Sequence, residues 1–142
     1  LEQAADLGKP IIVHCRDAFA DVFADLEKAA LGERAILHSW TGGHKWTKRF
    51  DALGETFSFA GMITYPTADT VRRAVAVAPR QRCMVETDTP YLSPQAHRNT
   101  PNEPSFVSLT GAAVAEVWGS DLETVAQATS ATARRVFGFG DS

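Results

Sequence analysis

The chain is 142 residues long and 44% hydrophobic, with a formal net charge of −3. That length fits one domain with its own core, but it is short for a (β/α)8 barrel, which takes about 250 residues. The charge excludes a protein that coats nucleic acid by bulk attraction, though not an enzyme that meets phosphate through metal ions.

Leu1 to Gly8 reads as the last turns of a helix ending on a Gly, so upstream sequence is expected to be missing. Pro10 to Cys15 is a short apolar run between Lys9 and Arg16, the mark of a strand buried in a parallel sheet. Asp17 to Ala30 follows as a helix, with Phe19, Val22, Phe23, Leu26 and Ala30 on one face and Gly32 as its stop. Ala35 to Ser39 is the second strand. Gly42 and Gly43 form a loop, and His44 to Leu53 is a short helix with Trp46, Phe50 and Leu53 inward. Thr56 to Ala60 is the third strand, and Gly61 after it marks a tight turn or room for a ligand. Thr67 is a candidate cap for a helix carrying Val71, Ala74, Val75 and Ala78, stopped by Pro79. Arg82 to Thr87 is the fourth strand. Pro90 to Pro104 is a proline-rich loop. Two helices finish the chain, the first lined by Phe106, Leu109, Ala113 and Val117. The second is expected to open with a capping box, Ser120 to Glu123, and to have Leu122, Val125 and Ala126 as its apolar positions, with a short helical tail running to Phe137. Gly138 to Ser142 is expected to fray.

Strands alternating with helices predict an α/β fold with a parallel sheet. Cys15 and Cys83 fall inside strands and form no CxxC pair. Both are expected to be reduced and buried, which favours the cytoplasm. No apolar stretch is long enough to span a membrane.

Three strands end on residues that ligate metals: His14 after Ile11-Ile12-Val13, His38 after Ile36-Leu37, and Asp88 after Val85-Glu86-Thr87. In a (β/α) barrel, a polar residue at the C-terminal end of a strand faces the catalytic rim. His14 and His38 are one strand–helix unit apart, close enough to share a divalent ion. Asp88 can bind metal or hold an attacking water, or simply cap the following loop. Glu86, two residues back, faces the same side one layer deeper and needs a partner there. It either supports the metal site or substrate, or sits in a structural ion pair. Arg16 can meet a phosphate, or pair with Asp17 or a loop carboxylate. His44, Lys45, Lys48 and Arg49 form a basic cluster that is either a solvated helix face or a guide for a nucleic-acid backbone. His97 and Arg98 lie in the loop after Asp88. Asn102-Glu103-Pro104 either fixes that loop or starts the next helix. Of the tryptophans, Trp46 is expected in the core, and only Trp40 is a candidate for stacking on a base.

Five blocks occur in order: Ile12-Val13-His14-Cys15-Arg16-Asp17-Ala18, Leu37-His38-Ser39-Trp40-Thr41-Gly42, Phe57-Ser58-Phe59-Ala60-Gly61, Glu86-Thr87-Asp88-Thr89-Pro90-Tyr91-Leu92 and Asn102-Glu103-Pro104. Together they resemble the TatD family of metal-dependent deoxyribonucleases, within the amidohydrolase-like TIM barrels. The resemblance covers nearly the whole chain. It implies a TIM (β/α)8 barrel of which residues 1–142 supply the C-terminal half, about strands five to eight, with the N-terminal half missing. It also implies hydrolysis of DNA phosphodiesters by a metal-activated water, with 3′-5′ exonuclease action on single strands or 3′ ends. Two divalent ions, Mg, Mn or Zn, would serve each complete site. His14 and His38 would hold one metal and Asp88 the other, with Asp88 and Glu86 catalytic and Arg16 and Arg98 against the substrate. The family's first-strand His-x-His and its bridging Glu on the fourth strand have no counterpart here, and Arg98-Asn99-Thr100 departs from its usual Arg-Gly-Lys. The chain alone is therefore expected to be inactive and to bind metal weakly. Two other readings stay open: an amidohydrolase-like esterase, amidase or lactonase, and a non-catalytic half-barrel that must pair with another half.

Overall fold

A computed structural model of the protein describes residues 1–139. Four strands, β1 (Ile11–His14), β2 (Ala35–His38), β3 (Thr56–Phe59) and β4 (Cys83–Val85), form one parallel sheet in chain order. The register sets Ile12 beside Ile36, His14 beside His38 and Ser58 beside Met84. Side chains alternate across a strand, so these residues share one face. The other face carries Ile11, Val13, Ala35, Leu37, Phe57, Phe59 and Cys83, all in the main core. Crossovers between parallel strands need helices, and those helices bury this second face.

The helices are α1 (Glu2–Asp6), α2 (Phe19–Ala29), α3 (Gly43–Ala52), α4 (Asp69–Val77), α5 (Val107–Trp118) and α6 (Leu122–Phe137). Leu26 of α2, Phe50 of α3, Val75 of α4 and Val114 of α5 are almost wholly buried in the core. Around Phe50, the rings of Phe23, Trp40 and Trp46 pack with centroids 5.2–6.0 Å apart, the spacing that aromatic pairs favour. The helix α6 serves the opposite face: Val136, Ala133 and Phe137 form a second, smaller cluster with Ile36 and Met84. Its last turns are tied to the N-terminal ends of the strands. Thr132 and Arg135 donate to the Gln81 carbonyl, and Arg135 pairs with Glu33 at 2.8 Å.

Above α6, the first face of the sheet stays open as a cleft of about 570 Å³. Ile12, Ile36, Ser58 and Met84 line it from the sheet, Gly111 from α5, and Leu122 and Ala126 from α6. Ile12 is therefore 65% exposed. Among the described residues no helix is long and apolar enough to cross a membrane. Both cysteines are free and buried, and burial pushes the Cys83 thiol up to about 12.

Several local expectations shift. The helix α2 ends on Ala30 in the left-handed region (φ 48°), not on Gly32, which opens a 3-10 turn. Ala68, not Thr67, precedes α4, and no side chain caps that helix. The cap of α6 is Asp121, whose carboxylate accepts from Thr124 N at 2.8 Å, a motif one residue later than Ser120 to Glu123. The Ser120 hydroxyl is instead buried without a partner among the described residues. The fully buried face of α5 is Thr110, Val114 and Trp118, next to the one expected. That helix is apolar almost all round, so periodicity alone could not orient it. Leu122 and Ala126 of α6 are exposed and face the cleft, and only Val125 is buried. The space beside Gly61 is filled by the backbone of Leu92 and Pro94, so it holds the following loop rather than a ligand. Gly138 takes the left-handed conformation that closes α6, and residues 140–142 of the tail expected to fray lie outside the described residues.

Candidate metal centre at the strand ends

The chain leaves β1, β2 and β4 at one rim of the sheet, and the backbone there is strained. Asp17 (φ 57°), Ser39 (φ 45°), Asp88 (φ 58°) and Leu92 (φ 55°) all adopt the left-handed region without being glycine. Such residues cluster where a site must be held in a fixed shape.

The two strand-end histidines meet. His14 Nδ1 lies 2.9 Å from His38 Nε2, and the ring centroids are 5.0 Å apart. The other nitrogen of His38, Nδ1, lies 3.1 Å from Glu86 Oε1. Ser39 Oγ donates to the same carboxylate oxygen at 3.0 Å. Glu86 thus has the partners that a half-buried carboxylate needs. Ligand atoms of His38, Glu86 and Asp88 all fall within 4.8 Å of one another, and His14 stands outside that group. Neutral imidazole nitrogens and carboxylate oxygens converging at this spacing are a donor set suited to a divalent ion.

Asp88 is placed by the loop that follows it. Asn102 is 5% exposed and acts as a clamp. Its side-chain amide donates to the carbonyls of Thr87 and Tyr91, each at 2.6 Å, and its Oδ1 accepts from Glu103 N. Its backbone donates to Pro90 O and accepts from Thr89 Oγ1. Asn102 therefore fixes the loop, and Pro104 also starts a 3-10 turn leading into α5. Replacing Asn102 by Ala removes three hydrogen bonds and is expected to cost on the order of 2 kcal/mol. Denaturant unfolding of the variant checks this. An unchanged midpoint would mean that the loop is held by other contacts.

The remaining sequence candidates divide. Arg16 is exposed next to His14 and makes no ion pair with Asp17 among the described residues. Arg98 is exposed and lies over the Tyr65 ring, 3.6 Å from its centroid. His97 stacks on Phe106 at 4.0 Å and so braces the loop. His44, Lys45, Lys48 and Arg49 are exposed on α3, with Arg49 lying over Phe23 and Trp46. Trp40 is corrected outright: it is 1% exposed, and its indole N–H donates to Thr47 Oγ1 at 2.8 Å, so it cannot stack on a base. Sequence reasoning missed Ser39. Strict alternation points it away from His38, and only its left-handed backbone brings the hydroxyl back to Glu86.

Residues 1–138 match the family model described as TatD related DNase. An uncharacterized metal-dependent hydrolase of Escherichia coli, YcfH, is 36% identical over 133 residues, covering 93% of this chain and 50% of that protein. An uncharacterized metal-dependent hydrolase of Mycobacterium tuberculosis, TatD, is 34% identical, with 99% and 53% covered. A protein of Pectobacterium parmentieri named 3′-5′ ssDNA/RNA exonuclease TatD is 34% identical, with 94% and 54% covered. The crystal structure of the TatD homolog YJJV from Escherichia coli superposes with a TM-score of 0.90 at 25% identity, over 98% of this chain and 54% of that one. The chain spans about half the length of the curated relatives it matches. By the family model and these identities, it belongs to the TatD-related DNase family.

Proposed function

We propose that the protein of which these residues form a part hydrolyses DNA phosphodiesters with two divalent ions, and that residues 1–142 supply about strands five to eight of its barrel. The observation that carries this reading is the convergence of His14, His38, Glu86 and Asp88 at one rim. His14 and His38 would hold one ion and Asp88 the other. Mg, Mn or Zn in those places would lower the pKa of a water and neutralise charge on the phosphodiester. The chain's own groups have separate tasks. Asp88, held by the Asn102 clamp, fixes its carboxylate where the attacking water must be oriented. Arg16, exposed and without an ion-pair partner among the described residues, is available to a phosphate. Arg98 has its face against Tyr65 and its N–H edges open to solvent.

Single strands and 3′ ends are the substrate form we favour, supported by the printed name of the Pectobacterium relative. Two buried free thiols fit a reducing compartment, the cytoplasm. The test is an assay of the complete protein on a single-stranded oligonucleotide, run beside simple ester and lactone substrates. Metal-dependent release of nucleotides from the 3′ end is expected. Turnover of esters or lactones with intact DNA would replace this reading by a carbonyl hydrolase. The segment alone is expected to show no nuclease turnover, and rates near those of the complete protein would overturn the half-barrel assignment.

A further inference from the structure

A neutral imidazole carries one N–H, and which nitrogen holds it is set by what the ring touches. The Glu86 carboxylate can only accept, so the 3.1 Å contact places the His38 proton on Nδ1. His38 Nε2 then carries a lone pair. The 2.9 Å contact between that nitrogen and His14 Nδ1 in turn requires the His14 proton to sit on Nδ1. Without metal, both rings therefore hold their protons on Nδ1, but with opposite consequences. A nitrogen must present a lone pair to bind a metal. His38 Nε2 already does, whereas the facing nitrogen of His14 is blocked by its own proton.

We propose, resting on the metal-site reading above, that Glu86 is a positioning residue rather than a ligand. It locks His38 in the Nδ1–H form, so that entry of the ion changes the tautomer of His14 and not that of His38. The proton of His14 moves from Nδ1 to Nε2 through solvent, because that ring is exposed and His38 is not free to yield. Ser39 supports the lock by donating to the same oxygen at 3.0 Å, which keeps the Glu86 carboxylate pointed at His38. The rival is direct ligation by Glu86 together with His38 and Asp88, whose ligand atoms also lie close together.

The experiment is long-range proton–nitrogen NMR on the complete protein with labelled histidine, at pH 8, first without metal and then with Zn2+ alone. The expected metal-free spectrum shows Nδ1–H on both rings. Zn2+ is expected to move the proton of His14 and leave that of His38 in place. Glu86→Ala should return His38 to a mixture of tautomers and weaken Zn2+ binding about 10–100-fold, the usual effect of removing a partner behind a metal ligand. Glu86→Gln offers a carbonyl oxygen to the same N–H and should recover most of both. Backbone amide spectra of each variant separate a local change from unfolding. A His38 that carries its proton on Nε2 in the native chain, or whose tautomer ignores Glu86→Ala in a folded variant, overturns the proposal. Equal loss of Zn2+ in the Ala and Gln variants assigns Glu86 as a ligand and overturns it too. If Zn2+ perturbs neither ring, the metal-site reading fails, and the metal-free tautomers still decide whether Glu86 holds His38.

Discussion

Asp88→Asn in the complete protein is expected to lower hydrolysis by about 10²–10⁴-fold, the range for losing a group that orients or deprotonates the attacking water. The fold should not notice. Asp88 sits at φ 58°, a conformation that Asn tolerates as well as Asp. Its structural contact is its carbonyl, which accepts from Tyr91 N at 2.9 Å, and Asn keeps that carbonyl. Among the described residues its carboxylate accepts no hydrogen bond, so removing the charge leaves no orphaned donor. Initial rates on single-stranded DNA and a thermal melt, measured together, decide the matter. A variant that retains native rates would take Asp88 out of the chemistry. A variant that loses stability as well would make it a loop cap.

Glu55→Gln is expected to flatten the protein's stability as pH rises. Glu55 sits between α3 and β3, at the opposite end of the sheet from the rim. It is 1% exposed, and its Oε2 is buried without a partner among the described residues. Burial pushes its carboxyl up to about 8 from 4.5. The folded chain therefore holds a proton that the unfolded chain releases between those two values. Over that window the unfolded state binds fewer protons, and stability falls as pH rises. Below pH 4.5 the group contributes nothing to the slope. By pH 7 its burial costs on the order of 3 kcal/mol. The readout is the difference between variant and native unfolding free energies at several pH values from 5 to 8. That difference should grow with pH in favour of the variant. Parallel curves would mean that Glu55 has an unrecognised partner.

The strand–helix order, the parallel sheet and the meeting of His14 with His38 were legible because they rest on short-range signals. An apolar run of four or five residues buried on the sheet needs no distant information, and two such runs separated by one helix usually lie side by side. The partner of Glu86 was legible only as a need, since nothing local says that His38 and Ser39 would meet it. Trp40 misled because a residue beside a candidate ligand is not thereby on the same face. The burial of α5 and α6 misled for another reason. Helix α5 is apolar almost all round, so its buried face is chosen by the contacts of Val114 and Trp118, whereas the amphipathic α6 turns Leu122 and Ala126 toward the open cleft. Cap positions slipped by one residue where two capping side chains stand together, as at Ser120 and Asp121.

The pairing of Arg135 with Glu33 joins residues 102 positions apart. Both side chains are about two-fifths exposed, so the ion pair adds little to equilibrium stability. Its effect falls on the order of events during synthesis. While the chain is being made from its N-terminus, the contacts of α6 with Gln81, Glu33 and Ile36 cannot form until the final helix has emerged. Until then the face carrying Ile12, Ile36 and Met84 is uncovered at both ends, and a nascent chain in that condition is a natural client for chaperones. Stalling translation before residue 122 should therefore yield chains bound by a holdase, and completing and releasing the chain should free them.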